Sequence, residues 1–162
     1  MKRRTFIRAA LAATALLSLP RLIFGNDGGN VVMTDKILRS ETEWRKILTP
    51  GQFEVLRNEG TEPAFSSPLN KEYGNGIYVC AGCELPLFES SAKFDSGTGW
   101  PSFFKPIEGR IETKRDFKII FPRTEYHCIR CGGHQGHVFN DGPEPTGQRW
   151  CNNGLALKFI PA

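Results

Sequence analysis

Two short stretches, Cys80-Ala81-Gly82-Cys83 and Cys128-Ile129-Arg130-Cys131, hold four of the chain's five cysteines in matched C-x-x-C pairs. Each pair can direct two thiolates to one side, and two pairs complete the tetrahedral set that Zn²⁺ prefers in closed structural sites. The sequence therefore predicts one structural zinc that joins two distant segments. Its ligands would be Cys80, Cys83, Cys128 and Cys131. Gly82 and Gly132 would ease the two tight turns. The alternatives are two disulfides, in an oxidising compartment, or a redox-active dithiol.

The charge of the chain is concentrated at its beginning. The 162 residues carry a formal net charge of +4, but residues 1–25 contain five of the 21 basic side chains and no acid. Residues 26–162 therefore hold 16 basic against 17 acidic side chains and are close to neutral. This balance argues against a nucleic-acid partner. The ordinary apolar and charged fractions predict one globular domain with its own core.

Residues 1–25 have the composition of an export signal. Arg3 and Arg4 precede Phe6 and Ile7, and an apolar run of about eleven residues follows, too short for a permanent membrane-spanning helix. The pattern resembles a twin-arginine signal, which implies contact with the export machinery and a periplasmic location. The alternatives are an ordinary export signal or an uncleaved anchor that tethers the protein to the membrane. We expect a linker over residues 26–39 and the functional domain over residues 40–162.

The pattern of the mature part predicts a mainly β fold. Two capping boxes, Ser40 with Glu43 and Thr49 with Gln52, predict short helices, the second ending at Gly60. Short apolar runs punctuated by glycine and proline follow, and we expect strands at residues 76–79, 118–121 and 155–159. The fold class is therefore antiparallel β sheets with a short helical N-terminal cap.

The fifth cysteine, Cys151, lies in the densest polar cluster of the chain. Arg149 and Asn153 flank it at two-residue spacing, so a strand would place all three on one face, where arginine would lower the thiol pKa. His134 and His137 lie shortly before, and a bend at the glycine between them would be needed to bring them together. These residues predict a nucleophilic thiol with nearby acids. The alternative is an inert buried cysteine with two loop histidines.

A second patch combines glycines with Trp100, Phe103 and Phe104. These rings would form an aromatic pocket for a small sulfur or methyl group. The alternative is a packed turn with a core tryptophan.

Taken in order, the motifs from about Ser40 to Pro161 resemble the B-type peptide methionine sulfoxide reductases. The motifs are Cys-Ala-Gly-Cys-Glu-Leu-Pro-Leu-Phe (80–88), Lys-Phe-Asp-Ser-Gly-Thr-Gly-Trp-Pro-Ser-Phe (93–103), Cys-Ile-Arg-Cys-Gly-Gly-His (128–134), Gly-His-Val-Phe-Asn-Asp-Gly-Pro (136–143) and Arg-Trp-Cys-x-Asn (149–153). The resemblance implies reduction of the R epimer of methionine sulfoxide in oxidised proteins, a β-tent-like fold and a structural zinc.

The resemblance also implies a role for each site residue. Cys151 would attack the sulfoxide sulfur, His134 and His137 would protonate the departing oxygen, and Asn153 would orient it. Trp100 would form the wall of the methyl pocket. Asp141 and Arg149 match positions that tune this network.

Several positions depart from the family pattern. Thr98 stands where many relatives have a resolving cysteine, so the resemblance implies a one-cysteine form that needs a small thiol or a thioredoxin-like protein as reductant. Gln135, Asn152 and Gly154 replace a usual leucine, an aliphatic residue and a frequent serine.

Two other functions compete with the reductase. A non-catalytic zinc-ribbon module could bind peptides through the aromatic patch, and its Cys151 would be unreactive. A thiol–disulfide enzyme could use the C-x-x-C pairs, and it would contain little zinc. We expect the reductase to be a monomer.

Overall fold

The structure, a computed structural model, describes residues 35–118 and 120–162. The predicted export signal and most of the predicted linker lie outside these residues. Near the end of that linker, the amide of Ile37 donates to the Arg130 carbonyl at 2.7 Å, and its side chain packs on the core. Within the described ranges, no helix is both long and apolar enough to cross a membrane.

Both predicted capping boxes are present. Helix α1 (Glu41–Ile47) begins after Ser40, and helix α2 (Pro50–Asn58) begins after Thr49. In each box the side chain of the cap residue accepts a bond from the amide three residues later, and the side chain of that later residue accepts a bond from the amide of the cap residue. The stop predicted at Gly60 falls one residue earlier, at Glu59, which takes the left-handed conformation at φ 56°. The helices bury Trp44, Phe53 and Leu56 against the β domain.

In the part of the chain that the structure describes, nine strands form two antiparallel sheets, which confirms the predicted fold class. The three-stranded sheet has the order β2-β1-β9, with β1 Gly76–Cys80, β2 Pro86–Glu89 and β9 Leu157–Pro161. The six-stranded sheet has the order β3-β4-β8-β7-β6-β5. Its strands are β3 Lys93–Phe94, β4 Ser102–Phe103, β5 Ile111–Asp116, β6 Arg123–Cys128, β7 His134–Phe139 and β8 Arg149–Asn152.

Two of the three predicted strands need correction. Lys118, Ile120 and Phe121 lie in the loop between β5 and β6, with both apolar side chains exposed, and residue 119 lies outside the described residues. The loop begins where the Asp116 carboxylate accepts a bond from the Lys118 amide at 2.9 Å, a local turn that stops the strand. The last predicted strand starts late, because Gly154–Ala156 forms a 3₁₀ turn. The strand predicted at residues 76–79 is confirmed.

Aromatic rings join the two sheets. Phe88 of β2 stacks on Phe103 of β4 with centroids 4.2 Å apart, and Tyr78 of β1 meets Phe103 edge-on at 4.9 Å. All three rings are fully buried, so they supply much of the apolar area that holds the sheets together. Phe103 therefore belongs to the core and not to the predicted pocket.

Candidate active site

The four paired cysteines form one cluster between the two sheets. Cys80 and Cys83 lie at the β1–β2 turn, and Cys128 and Cys131 at the β6–β7 turn. Their four Sγ atoms lie within 4.8 Å of one another, with Cys80 to Cys131 at 3.6 Å and Cys83 to Cys128 at 3.5 Å. A tetrahedron with metal–sulfur bonds of about 2.3 Å has edges of about 3.8 Å, so the thiols fit a metal ion. A disulfide would bring two sulfurs to about 2.05 Å. The cluster could therefore hold one metal that ties a hairpin of one sheet to a hairpin of the other.

The two knuckles turn in the same way but with different residues. The Gly132 amide donates to the Cys128 carbonyl at 2.8 Å with φ 66°, as predicted for a glycine at this turn. In the first knuckle the equivalent residue is Glu84, whose amide donates to the Cys80 carbonyl at 2.8 Å with φ 59°. The prediction that Gly82 eases this turn is wrong, because the left-handed position falls one residue after the second cysteine.

Cys151 lies on β8, at the middle of the six-stranded sheet. Antiparallel pairing places it directly opposite His137 of β7 and opposite Ser102 of β4. Directly opposite side chains in such a pair have Cβ atoms about 5 Å apart. A cavity of about 110 Å³ opens beside the thiol. It is lined by Thr61, Trp100, Arg123, Gly136, His137, Phe139, Cys151, Asn152 and Asn153. The structure thus brings four predicted site residues, including Trp100 and Asn153, to one small cavity.

A β-bulge brings the two histidines together. His134 faces His127 and Gly136 faces Tyr126 across the β6–β7 pair, so Gln135 is the extra residue. The inserted residue shifts the alternation and turns His134 toward the side of His137, with ring centroids 5.5 Å apart. The bulge, and not the predicted bend at Gly136, therefore brings His134 and His137 together. At Gly136 a Cβ would lie 1.9 Å from the Cys151 carbonyl oxygen, so only glycine permits this approach of β7 to β8.

Each histidine is held by a carboxylate that the sequence analysis did not identify. His134 Nδ1 lies 2.6 Å from Glu125 Oε1, and both side chains are only 2% exposed. The second carboxylate oxygen of Glu125 lies 3.1 Å from His127 Nδ1. Burial alone would raise the pKa of Glu125, but the bonds from His127 and His134 outweigh it and hold the pKa at about 2. Glu125 is therefore a carboxylate at neutral pH, and it lies between His127 and His134. The other ring nitrogen of His134, Nε2, is buried and has no hydrogen-bond partner among the residues that the structure describes.

The second carboxylate is Asp116, at the end of β5. Its Oδ2 lies 2.7 Å from His137 Nε2 and 2.7 Å from Arg123 Nη2. The Lys118 amide and then these two side chains hold the pKa of Asp116 below its usual range. Burial lowers the pKa of His137, although Asp116 acts in the opposite direction. His137 is therefore a neutral imidazole near pH 7, with a fixed orientation.

Arg149 is buried at the edge of the site, and its partner Asp141 is exposed. The guanidinium donates to both Asp141 carboxylate oxygens at 2.8 Å and stacks over the Phe139 ring at 4.3 Å. Burial raises the pKa of the Cys151 thiol above its ordinary value, while Arg149 and the Thr98 hydroxyl pull it down. The predicted effect of Arg149 is present, but burial is larger. Cys151 is therefore a thiol, and not a thiolate, in the free protein at neutral pH.

Glu62 connects two walls of the cavity and was also missed from the sequence. Its carbonyl accepts a bond from Trp100 Nε1 at 3.1 Å, and its amide donates to Asn153 Oδ1 at 3.1 Å. Its buried carboxylate accepts bonds from the amides of Gly154 and Leu155 at 2.6 Å and 2.9 Å. One residue thus sets the distance between the aromatic wall and the amide of Asn153.

Gln135 and Asn152, two residues that depart from the family pattern, lie close together in the structure. Both side chains are fully buried, and Asn152 Oδ1 accepts a bond from the Tyr126 hydroxyl at 2.8 Å. Gln135 Nε2 lies 3.5 Å from Cys80 Sγ, at the metal cluster. At Gly154 a Cβ would lie 1.9 Å from Ser67 Oγ, so a residue with a side chain would fit this loop only if Ser67 moved.

The comparisons with known proteins agree on one protein family. Residues 48–161 match the SelR domain. Peptide methionine sulfoxide reductase MsrB of Leptospira interrogans is 48% identical over 128 residues, covering 78% of this chain and 98% of that protein. MsrB of Bradyrhizobium diazoefficiens is 52% identical over 128 residues, covering 78% of this chain and 92% of that protein. The chloroplastic peptide methionine sulfoxide reductase B1 of Arabidopsis thaliana is 53% identical over 121 residues, covering 74% of this chain and 60% of that protein.

Proposed function

The chain belongs to the peptide methionine sulfoxide reductase B family, and on that premise we propose that this oxidoreductase uses Cys151 to reduce the R epimer of methionine sulfoxide in exported polypeptides. The observation that carries the proposal is the register of the central strands. It sets Cys151 directly opposite His137, in one cavity with Trp100. A nucleophile and a proton carrier on facing positions can act on the two ends of one S–O bond.

The proposed reaction transfers one oxygen atom and two electrons. The sulfur of Cys151 attacks the sulfoxide sulfur while the oxygen takes up a proton, and the S–O bond of the substrate breaks. The oxygen, released as hydroxide, then bonds to the Cys151 sulfur. The new S–S bond breaks with its electron pair on the substrate sulfur, so methionine leaves and Cys151 becomes a sulfenic acid. The proton that leaves the thiol is the one that the oxygen gains, so no further reactant enters this step.

The histidines would carry that proton. Because Cys151 is protonated and His137 is neutral in the free protein, the thiol proton can move to His137 and then to the sulfoxide oxygen. Asp116 stabilises the imidazolium that forms on the way. His134, behind His137, would be kept in one orientation by the permanent charge of Glu125.

Discrimination between the two epimers would come from the walls of the cavity. Trp100 offers an apolar surface for the methyl group, and Asn153 and His137 offer polar groups for the oxygen. Exchanging the positions of oxygen and methyl would place the oxygen on the ring and leave the polar groups unpaired, which is costly in a buried site. This arrangement favours one epimer.

The sulfenic acid would require an external reductant. Four of the five cysteines belong to the metal cluster, and Thr98, whose hydroxyl lowers the pKa of Cys151, carries no thiol. A small thiol or a thioredoxin-like protein would attack Cys151 directly and form a mixed disulfide, which a second thiol opens.

The metal of the cluster would be zinc. Four thiolates form the closed tetrahedral set typical of structural zinc, with no position left for a substrate. Its role would be to hold the β1–β2 and β6–β7 hairpins together. The N-terminal segment supports export by the twin-arginine route, which would place the activity in the periplasm, on oxidised exported proteins.

The pH dependence of thiol reactivity follows from the raised pKa of Cys151. An acid with a raised pKa is ionised only at higher pH, so the rate of alkylation of Cys151 by iodoacetamide should rise with pH and reach its midpoint above that of a cysteine in an unstructured peptide. In Thr98→Val, which loses a hydroxyl that favours the thiolate, the midpoint should move further up. Mass spectrometry of the alkylated peptide measures both profiles on metal-loaded protein. A midpoint near pH 6 would contradict this protonation state.

Removal of the charge at Glu125 should impair the reaction without changing the shape of the site. Glu125→Gln keeps an acceptor for His134 but loses the carboxylate, so we expect kcat/KM to fall about 100-fold and its pH profile to shift. The matched control is Glu112→Gln, because Glu112 also contacts His127, at 3.4 Å, but is exposed. Equal activity of the two variants would refute the role of Glu125.

A single-turnover assay tests the proposal as a whole. Reduced, metal-loaded protein is mixed with a peptide containing both epimers of methionine sulfoxide, without added reductant. We expect about one equivalent of methionine per chain, all from the R epimer, and a dimedone-reactive sulfenic acid on Cys151. Absence of methionine from intact, metal-loaded protein would refute the reductase function and favour the peptide-binding module.

A further inference from the structure

A second cavity, of about 180 Å³, lies beside the proposed active site, and Trp100 lines both. Four aromatic side chains, Phe65, Tyr73, Phe94 and Trp100, contribute to its lining. The indole thus separates two adjacent recesses, one of which contains the thiol. The second recess therefore lies next to the position of the reacting residue.

Phe65 is held in this cavity at a conformational cost. Its side chain is 74% exposed, and its backbone adopts φ 64°, a region that a bulky residue rarely occupies. Neither burial of its ring nor an easy backbone conformation explains its position. Strained residues of this kind occur at ligand sites, where the surrounding structure maintains them.

The surroundings of Phe65 enforce that strain. Its amide donates to the Gly99 carbonyl at 2.7 Å, and Asn70 Nδ2 donates to the same carbonyl at 2.8 Å. Gly99 has φ 92°, and a Cβ there would lie 2.8 Å from the Phe65 amide nitrogen. The backbone of Phe65 is therefore fixed to Gly99, the residue that precedes Trp100.

Three charged residues also line this cavity, namely Lys71, Lys93 and Asp95. Lys93 Nζ lies 3.6 Å from the centre of the Tyr73 ring and donates to the Asn70 carbonyl at 3.0 Å, and Asp95 Oδ1 accepts a bond from the Gly97 amide at 2.9 Å. Apart from Lys71, which is exposed, the recess presents mainly aromatic faces. Such a surface favours an apolar side chain over a charged one.

We propose that this recess is a substrate subsite in which Phe65 and Trp100 receive an apolar side chain adjacent to methionine sulfoxide in the polypeptide. The inference rests on the proposed function, because it takes Trp100 as the wall shared with the reacting residue. It predicts that the enzyme selects sulfoxides in apolar sequence contexts, which unfolded or damaged proteins expose.

The test compares peptides that differ at one position. The peptides are acetyl-Gly-MetO-Gly-amide as the R-sulfoxide and its two variants with phenylalanine before or after the sulfoxide. For the native protein we expect kcat/KM to be about tenfold higher with one of the phenylalanine peptides than with the glycine peptide. In Phe65→Ala and Phe65→Gly this ratio should fall to about one.

The glycine variant separates a subsite from a fold defect. Glycine adopts φ 64° without strain, so the melting temperature of Phe65→Gly should equal or exceed that of the native protein. Leu38→Ala is the matched control, because Leu38 is also exposed, at 91%, and lines neither recess. It should keep both the activity and the ratio. A ratio of about one in the native protein, or an unchanged ratio in both Phe65 variants, would overturn the proposal.

Calorimetric binding to Cys151→Ser tests the subsite apart from the chemistry. Tighter binding of a phenylalanine peptide than of the glycine peptide, lost on adding Phe65→Gly, would support the subsite even if no peptide were reduced. Equal binding of the peptides would refute it even if the reductase function held.

Discussion

Replacement of Cys151 by serine is expected to lower the rate of methionine R-sulfoxide reduction by at least about 10⁴-fold. The oxygen of serine is a far weaker nucleophile toward sulfur, and it cannot form the sulfenic acid that would complete the reaction. Cys151 lies half-buried on β8, and serine is slightly smaller, so β8 should keep its pairing with β4 and β7. The measurement is steady-state reduction of a defined peptide, with methionine quantified by chromatography.

The matched control for this variant is Thr98→Val, which changes a side chain that contacts Cys151 but leaves the thiol. We expect it to retain activity with a shifted pH profile. Metal content and circular dichroism of Cys151→Ser should equal those of the native protein. Activity within tenfold of native for Cys151→Ser would show that another group attacks the sulfoxide.

Loss of a cluster cysteine is expected to unfold the domain. In Cys128→Ser, metal content should fall from one ion per chain to about zero. Structural zinc contributes about 10 kcal/mol or more to the folding of small zinc domains, which is comparable to the whole stability of a typical domain. The cluster lies at a hairpin turn of each sheet, so its loss removes the link between those turns. Melting followed by circular dichroism, with metal measured by atomic emission, gives both quantities.

The Cys151→Ser variant is also the control here, because it removes one cysteine outside the cluster. It should bind one metal ion and melt like the native protein. A native melting temperature for Cys128→Ser, or intact protein in which Cys128 forms a disulfide, would show that metal is not what holds the cluster.

The sequence was most informative where function needs particular residue types at short spacing. The two C-x-x-C pairs predicted the cluster, and both capping boxes begin helices at the predicted residues. Such signals are local, because a cap or a metal knuckle is complete within a few residues.

The residues that were missed depend on contacts across the sheet. Glu125 and Asp116 lie outside the quoted motifs, and their partners are fixed only by the register of β5, β6 and β7 and by the bulge at Gln135. Glu62 lies in a loop, and it is joined to Asn153 only by the folded chain. A bulge leaves no dependable signal in the sequence. The predicted chemistry required His134 and His137 to lie close together, but the sequence did not indicate that a bulge would achieve this.

The error at residues 118–121 has a different origin. An apolar run suggested a buried strand, but Asp116 ends β5 and the apolar side chains of Ile120 and Phe121 remain exposed. Periodicity reports which residues suit a strand, and it cannot report that a carboxylate turns the chain before them.

The position of β8 has a consequence for the dynamics of the site. Strands β3 and β4 connect to β5, β6 and β7 only through β8, which is hydrogen-bonded on both sides. Small fluctuations that release an edge strand would leave β8 in place. The backbone amide of Cys151 should therefore exchange its hydrogen with deuterated solvent only when the whole sheet opens, at the slow limit set by global unfolding. The reactive sulfur would thus be carried by one of the most persistent parts of the backbone, and a protein repaired by this site would meet the same geometry at every encounter.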